Sequence, residues 1–242
     1  MTRSTMRSAS FGFAVLVFAS ACATPYDPFR IPASELRGRV RTIALAPLRA
    51  SADVADREQA RAQIEPIVSA RLSAGGFQVV ASAEMEKLWR SAAGDVGDLF
   101  DPVTGKIDQE RYDAVEASVY HELRAQHGAD AVLWMRIDTV ELYLATRNAT
   151  FCGTTDAIYW PGGKLENFER ATLVVASCLY THLYDMEERE LYSIRSGLEI
   201  VETFARQTRA ERPQGERLKN PGRLREAVEA TVGPLADHSA GR

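Results

Sequence analysis

Cysteine and histidine are scarce in this chain, at three and four in 242 residues. No Cys-x-x-Cys pair occurs and no two histidines stand four apart, so the ligand spacing of a zinc site is missing. Also missing is an apolar run of about 20 residues, the length a membrane-spanning helix needs. Positive charge is not in excess: 29 Lys and Arg face 33 Asp and Glu, a formal net charge of -4. That balance supplies no global field for holding nucleic acid or an anionic membrane surface. No internal repeat or low-complexity block is present. What remains, 45% hydrophobic and 26% charged residues, is the composition of a folded globular protein.

The first 21 residues carry Arg3 and Arg7, no acid, and then the apolar run Phe11 to Ala19. A basic start followed by a short apolar stretch is the pattern of a secretory signal peptide, to be set aside in reasoning about the fold. The run closes in Ala19-Ser20-Ala21-Cys22, small residues directly before a cysteine. This resembles the lipobox of bacterial lipoproteins, although Ala19 stands where leucine is more usual, and cleavage at an ordinary signal-peptidase site is the alternative. The resemblance implies that Cys22 becomes the first mature residue and is acylated with palmitate-type chains. Several buried acyl chains, at about 0.8 kcal/mol per methylene, anchor a protein stably. Ala23 is not the aspartate that resembles an inner-membrane retention signal, so the expected location is the periplasmic face of the outer membrane. The expected organisation is a signal peptide over 1–21, a tether over 22–37, one domain over 38–236 and a disordered tail over 237–242.

Along the domain, Val40 to Leu48 is nearly continuous in apolar residues up to Pro47, as in a strand covered on both faces. Ala60, Ile64, Ile67, Val68 and Leu72 recur at helical spacing over 54–74, with Pro66 predicting a kink or a later start. Gly75-Gly76 closes that helix and Phe77 to Val80 is a short strand, giving a parallel βαβ unit. A second helix opens at Ser82, the expected cap, and a third covers 109–127 with Val115, Val119 and Leu123, ending at Gly128. From Ala131 to Leu144 the pattern alternates, but Leu133, Met135 and Ile137 differ in parity from Val140, Leu142 and Leu144. That phase change predicts a bulge or break near Asp138-Thr139. Strands over 171–185 and 190–204 follow, joined by a hairpin turn at Asp185 to Arg189. A last helix carries Leu224, Val228, Val232 and Leu235. The predicted fold is α/β: a mixed sheet of about five strands with a parallel start, an antiparallel C-terminal meander and flanking helices.

Candidate chemistry is thin. Asp98, Asp101 and Asp108 lack the spacing of a calcium loop, and the stretch reads as a turn. His121 and His127 are six apart, which turns the rings about 240° from one another on a helix. Gly162-Gly163-Lys164 lacks the first glycine and the Ser/Thr of a phosphate loop. Cys178 and His182 share a strand face but stand about 13 Å apart by rise, too far for a nucleophile pair. No catalytic residue, metal or cofactor is expected. Cys152 and Cys178 are an even pair for an oxidising compartment. Simple hairpin register sets Cys178 opposite a residue near Ile137, so a disulfide requires the intervening loop to fold back, and two separate buried thiols are the alternative. The long 145–170 connection carries Phe151, Tyr159, Trp160 and Phe168, read as a possible partner contact; such loops are often functional.

The apolar strand ending Ala46-Pro47-Leu48, the Gly75-Gly76-Phe77-Gln78-Val79-Val80 passage, the Gly128-Ala129-Asp130-Ala131-Val132-Leu133 entry to a long strand and the closing hairpin carry a resemblance over 38–205. They are similar to the periplasmic α/β domain shared by the curli-secretion lipoprotein, the penicillin-binding-protein activator lipoproteins and the N-terminal domain of the Tol-system translocation protein. The resemblance implies a non-enzymatic accessory or assembly factor of an envelope machine, acting on an envelope protein by protein contacts. An oligomeric export component of the curli-secretion type and a periplasmic hydrolase are the alternatives. The export reading needs membrane strands of about 9–11 residues, and neither 84–127 nor 145–170 supplies them.

Overall fold

Ile43, Ala44 and Leu45 are almost wholly removed from solvent, because successive side chains of a strand point to opposite faces and here both faces are covered. In the computed structural model, residues 26–51, 57–144, 148–157, 172–205, 208–211 and 213–237 are described. In chain order they form α1 (Ala33–Arg39), β1 (Thr42–Leu45), β2 (Arg49–Ala50), α2 (Arg57–Ala74), β3 (Gln78–Val80), α3 (Ser82–Val96), α4 (Gln109–His127) and β4 (Ala131–Leu144). There follow β5 (Asn148–Phe151), β6 (Thr154–Ala157), β7 (Thr172–Asp185), β8 (Glu190–Ile200), β9 (Glu202–Ala205), β10 (Thr208–Glu211) and α5 (Pro221–Asp237).

The fold is the mixed α/β arrangement expected. The main sheet has the order β3-β1-β4-β7-β8, with β2 beside β4 further along. β1 runs parallel to β3 and β4, and β4, β7 and β8 form an antiparallel meander. One face is packed under α2 and α5, with Ile64, Val68, Leu72, Val228 and Val232 against Leu133, Met135 and Ile137. The other face is covered at one end by α3 and α4, where Met85, Val115, Val119 and Leu123 meet Ala44, Ala46 and Val132. Its far end is covered by the β5–β6 hairpin, where Phe151 packs with Val174, Ala176 and Cys178.

The glycine and aspartate of the strand-entry motif have separate jobs. Gly128 ends α4 in the left-handed region at φ 62°, donating to the Arg124 carbonyl, a conformation that glycine adopts without a side-chain penalty. Two residues on, Asp130 accepts the backbone N–H groups of Arg41 and Thr42 at 2.8 and 2.9 Å, tying the start of β4 to the start of β1.

Several expectations need correcting. β4 runs unbroken, pairing with β7 from Ala131↔Asp185 to Leu144↔Thr172. The register shifts fall instead between β7 and β8, at Ser177/Cys178 and Leu183/Tyr184. The change of apolar parity at Asp138 comes from the layers above the strand. Met135 and Ile137 face α2 and α5, whereas Val140 and Leu142, on the opposite face, lie under the hairpin. Ser82 does not cap α3 with its side chain, since the N-cap is Ala81 and the Ser82 hydroxyl donates to Glu65. The strand read over 190–204 is two, because β9 leaves the sheet to pair with β10. The stretch read as a tether is folded onto the sheet edge from Tyr26: Phe29 bridges Tyr192, Arg30 N–H donates to the Leu191 carbonyl, and Ser193 N–H donates to that of Pro28. Asp237, read as the first residue of a free tail, ends α5 and pairs with Arg71.

Candidate functional site

In open parallel sheets, ligands settle outside the carboxyl ends of the strands, where the following helices begin. Here a cavity of about 720 Å³ occupies that position. Two of its lining residues, Leu48 and Arg61, are held by Glu65 of α2, whose carboxylate accepts the Leu48 N–H at 2.9 Å, the Arg61 Nε–H at 3.2 Å and the Ser82 hydroxyl. One side chain thus joins the end of β1, the first turns of α2 and the start of α3. Arg61 also pairs with Glu86 at 2.6 Å and with Glu58 at 3.5 Å, so its charge is spent within the protein. Met85, Trp89 and Leu48 give the cavity apolar walls.

Arg49 and Trp134 divide this cavity from a second of about 470 Å³. The Arg49 guanidinium lies over the Trp134 ring, 4.6 Å from its centroid, a cation–π contact. Trp134 Nε1–H donates to the Tyr120 hydroxyl at 3.1 Å. Burial pushes the Tyr120 hydroxyl up to about 12, against the opposing effect of that hydrogen bond. The second cavity is walled by Tyr112, Tyr120 and Tyr184, with Glu116 and Glu188 at its mouth. Burial raises the Glu116 carboxyl above its ordinary value, helped by Glu188 and opposed by Arg49.

Register extends Arg49 into a row. It is aligned with Arg136, Arg136 with Tyr180, and Tyr180 with Arg195, across β2, β4, β7 and β8. Cross-strand partners share a face, so three guanidiniums and a phenol cross the sheet between the α3–α4 layer and the β5–β6 hairpin. All three arginines are exposed. Arg136 stands over the Tyr180 ring at 5.3 Å and pairs with Asp138 at 2.6 Å. Neither Arg49 nor Arg195 has a carboxylate within salt-bridge distance among the described residues. The row can bind anions at Arg49, whose guanidinium rests on a ring and keeps its N–H edge for carboxylate or phosphate oxygens, and at the exposed Arg195, while Arg136 spends part of its edge on Asp138.

Of the residues singled out from sequence, Cys152 and Cys178 are joined in a disulfide that closes 26 residues. Cys178 faces Asp138 on β4, one position from the Ile137 that simple register suggested, and the β5–β6 hairpin folds back to bring Cys152 to it. Phe151 does not serve as a partner contact: it is 5% exposed and packed across Gly197. Tyr159, Trp160, Phe168, the Gly162-Gly163-Lys164 stretch and Cys22 lie outside the described residues. His182 bonds Glu190 at 2.8 Å and Ser193 at 3.2 Å and stacks on Tyr184. Asp101 spends its carboxylate on the N–H groups of Val103 and Thr104, as a turn requires. Among the described residues no cluster of metal-binding side chains occurs, and no helix is long and apolar enough to cross a membrane. The arginine row itself was missed in the sequence, where its only trace is the polar pair Arg136 and Asp138 interrupting the apolar parity of Val132, Trp134, Val140 and Leu142.

No family model matches the sequence, and no match occurs among curated proteins. Among solved structures the chain is similar to a PelC dodecamer from Paraburkholderia phytofirmans, at 13% identity and a TM-score of 0.37, over 82% of this chain and 89% of that one. It is also similar to the hypothetical protein CT253 from Chlamydia trachomatis, at 11% identity and a TM-score of 0.32, over 83% of this chain and 98% of that one. At these values neither neighbour assigns a function to this chain.

Proposed function

We propose that this protein is an outer-membrane lipoprotein, anchored through Cys22 and facing the periplasm, that serves an envelope machine as a non-enzymatic accessory or assembly factor. The observation that carries the reading is the open sheet face bearing Arg49, Arg136, Arg195, Trp134 and Tyr180. Arginine, tryptophan and tyrosine are the residue types that dominate binding energy at protein interfaces. The lipobox resemblance at Ala19-Ser20-Ala21-Cys22 supports the anchor, and the sheet edge bound by Tyr26 to Ile31 holds the domain close behind it.

Metabolic labelling with palmitate tests the anchor: label on the wild type and none on Cys22→Ser is the expected result. Cross-linking of the full-length protein in intact envelopes, followed by mild detergent extraction, tests the role. A defined hetero-complex is expected, whereas a single large symmetric homo-oligomer, or a turnover activity abolished by a point substitution in the cleft, overturns the accessory reading.

A further inference from the structure

We infer that the arginine row is a docking site for an extended acidic segment of a partner protein, one that alternates carboxylate with apolar side chains. This inference rests on the accessory reading above and names the chemistry of its partner. Its ground is the juxtaposition of a charge row with one largely apolar cavity and a second lined by tyrosines and charged groups, on a band of sheet left between the α3–α4 layer and the β5–β6 hairpin among the described residues. Adjacent strands stand about 4.8 Å apart, so Arg49 to Arg136 is one strand step and Arg136 to Arg195 is two, about 10 Å. No single small anion spans that row. An extended peptide presents alternate side chains about 6–7 Å apart on one face, a spacing that flexible guanidiniums at those intervals can meet.

The row itself carries three arginines to one paired carboxylate, Asp138, in a chain of net charge -4. Arg49 and Arg195 form no salt bridge among the described residues: Arg49 stands over Trp134 and acts on Glu116 across the second cavity, which Glu188 also lines, and Arg195 lies beside Tyr180. Charge complementarity therefore selects a negative occupant. The cavities decide which kind. Met85, Trp89 and Leu48 on one side of the Arg49–Trp134 stack, and Tyr112 and Tyr120 on the other, are walls for apolar side chains. A polyuronate offers the carboxylates without such groups, while an acidic peptide with interleaved phenylalanine or leucine supplies both.

The test uses the full-length protein in detergent and a fluorescein-labelled peptide alternating glutamate with phenylalanine and leucine, read by anisotropy. Saturable binding is expected, weakening as salt is raised. Arg49→Gln and Arg195→Gln should each weaken it by roughly tenfold or more, the scale of one charge-assisted hydrogen bond. Both positions are exposed, so thermal unfolding should be unchanged. Arg39→Gln, on α1 against the opposite face, should leave binding as it was. Equal binding of the same peptide with glutamine for glutamate, indifference to both arginine substitutions, or binding of oligogalacturonate in place of the peptide would each overturn the inference. Such a failure leaves the palmitate label and the hetero-complex untouched; loss of those instead removes the accessory reading on which the inference stands.

Discussion

Phe151 lies across Gly197 so closely that a β-carbon on the glycine would stand 2.5 Å from a ring carbon. The contact fastens the β5–β6 hairpin to β8, and Gly197 N–H also donates to the Thr154 hydroxyl at 3.0 Å. An alanine at 197 must displace the ring or the strand, and overpacking of that kind costs about 1–3 kcal/mol. Gly197→Ala should lower the unfolding midpoint accordingly. Phe151→Leu shortens the ring side, so the double substitution should cost less than the sum of the two singles. Strict additivity in that cycle would show that the contact is not made.

The Cys152–Cys178 disulfide fastens the same turn of the hairpin, one residue beyond Phe151, to β7. The loop it closes spans 26 residues, for which the chain-entropy model gives about 3–4 kcal/mol. Reduction with dithiothreitol, or the double substitution Cys152→Ser and Cys178→Ser, should lower the thermal midpoint. Hydrogen exchange should rise first in Asn148–Ala157, the segment that the bond ties to β7. An oxidised and a reduced protein melting together would refute this assignment of the bond's role.

The order of strands and helices was legible from residue pattern because each main element has a dedicated partner layer. Val115, Val119 and Leu123 recur at helical spacing and do line the buried side of α4. Gly128 stops that helix where the sequence placed the stop. What misled was β4, a strand whose covering layer changes along its length: Ile137 faces α5 and Val140 faces the hairpin, so its apolar parity flips with no bulge in its pairing with β7. Burial, not strand geometry, writes the pattern. The arginine row stayed hidden for a different reason. Arg49, Arg136 and Arg195 are far apart in sequence, and only the register of three strand pairs places them side by side. The same holds for Glu65, whose helical spacing says nothing of a role as acceptor for β1 and α3.

Glu65→Ala should therefore be more damaging than its place on a mostly polar helix side suggests. It would strip the acceptor from the Leu48 N–H, the Ser82 hydroxyl and the Arg61 guanidinium together. Buried donors left unpaired cost about 1–3 kcal/mol each, and partial relaxation of the cleft should hold the total to a few kcal/mol. Glu65→Gln keeps one carbonyl oxygen as an acceptor and should fall between wild type and alanine. Chemical denaturation of the three proteins checks the order, and an alanine variant as stable as wild type would contradict it.

Glu190 sets the acid limit of the N-terminal strap. Burial alone would raise its carboxyl, but hydrogen bonds from His182 and Arg30 outweigh that and hold it below the ordinary value of 4.5. Its Oε2 accepts from Arg30 Nε; the Arg30 backbone N–H enters the edge of β8, and its guanidinium donates to the Tyr26 hydroxyl, which in turn donates to the Ser193 carbonyl. A carboxyl with a depressed folded value contributes its stabilisation above its unfolded value and loses it as pH falls through the folded one. Docking of Tyr26 to Ile31 should thus be constant at neutral pH and weaken below about pH 4.5. Corrected for intrinsic rates, hydrogen exchange at the Arg30 and Ser193 amides should accelerate in that acid range. In Glu190→Gln the exchange should already be fast at neutral pH and should lose the acid step, whereas an unchanged acid step would assign the titration to another group.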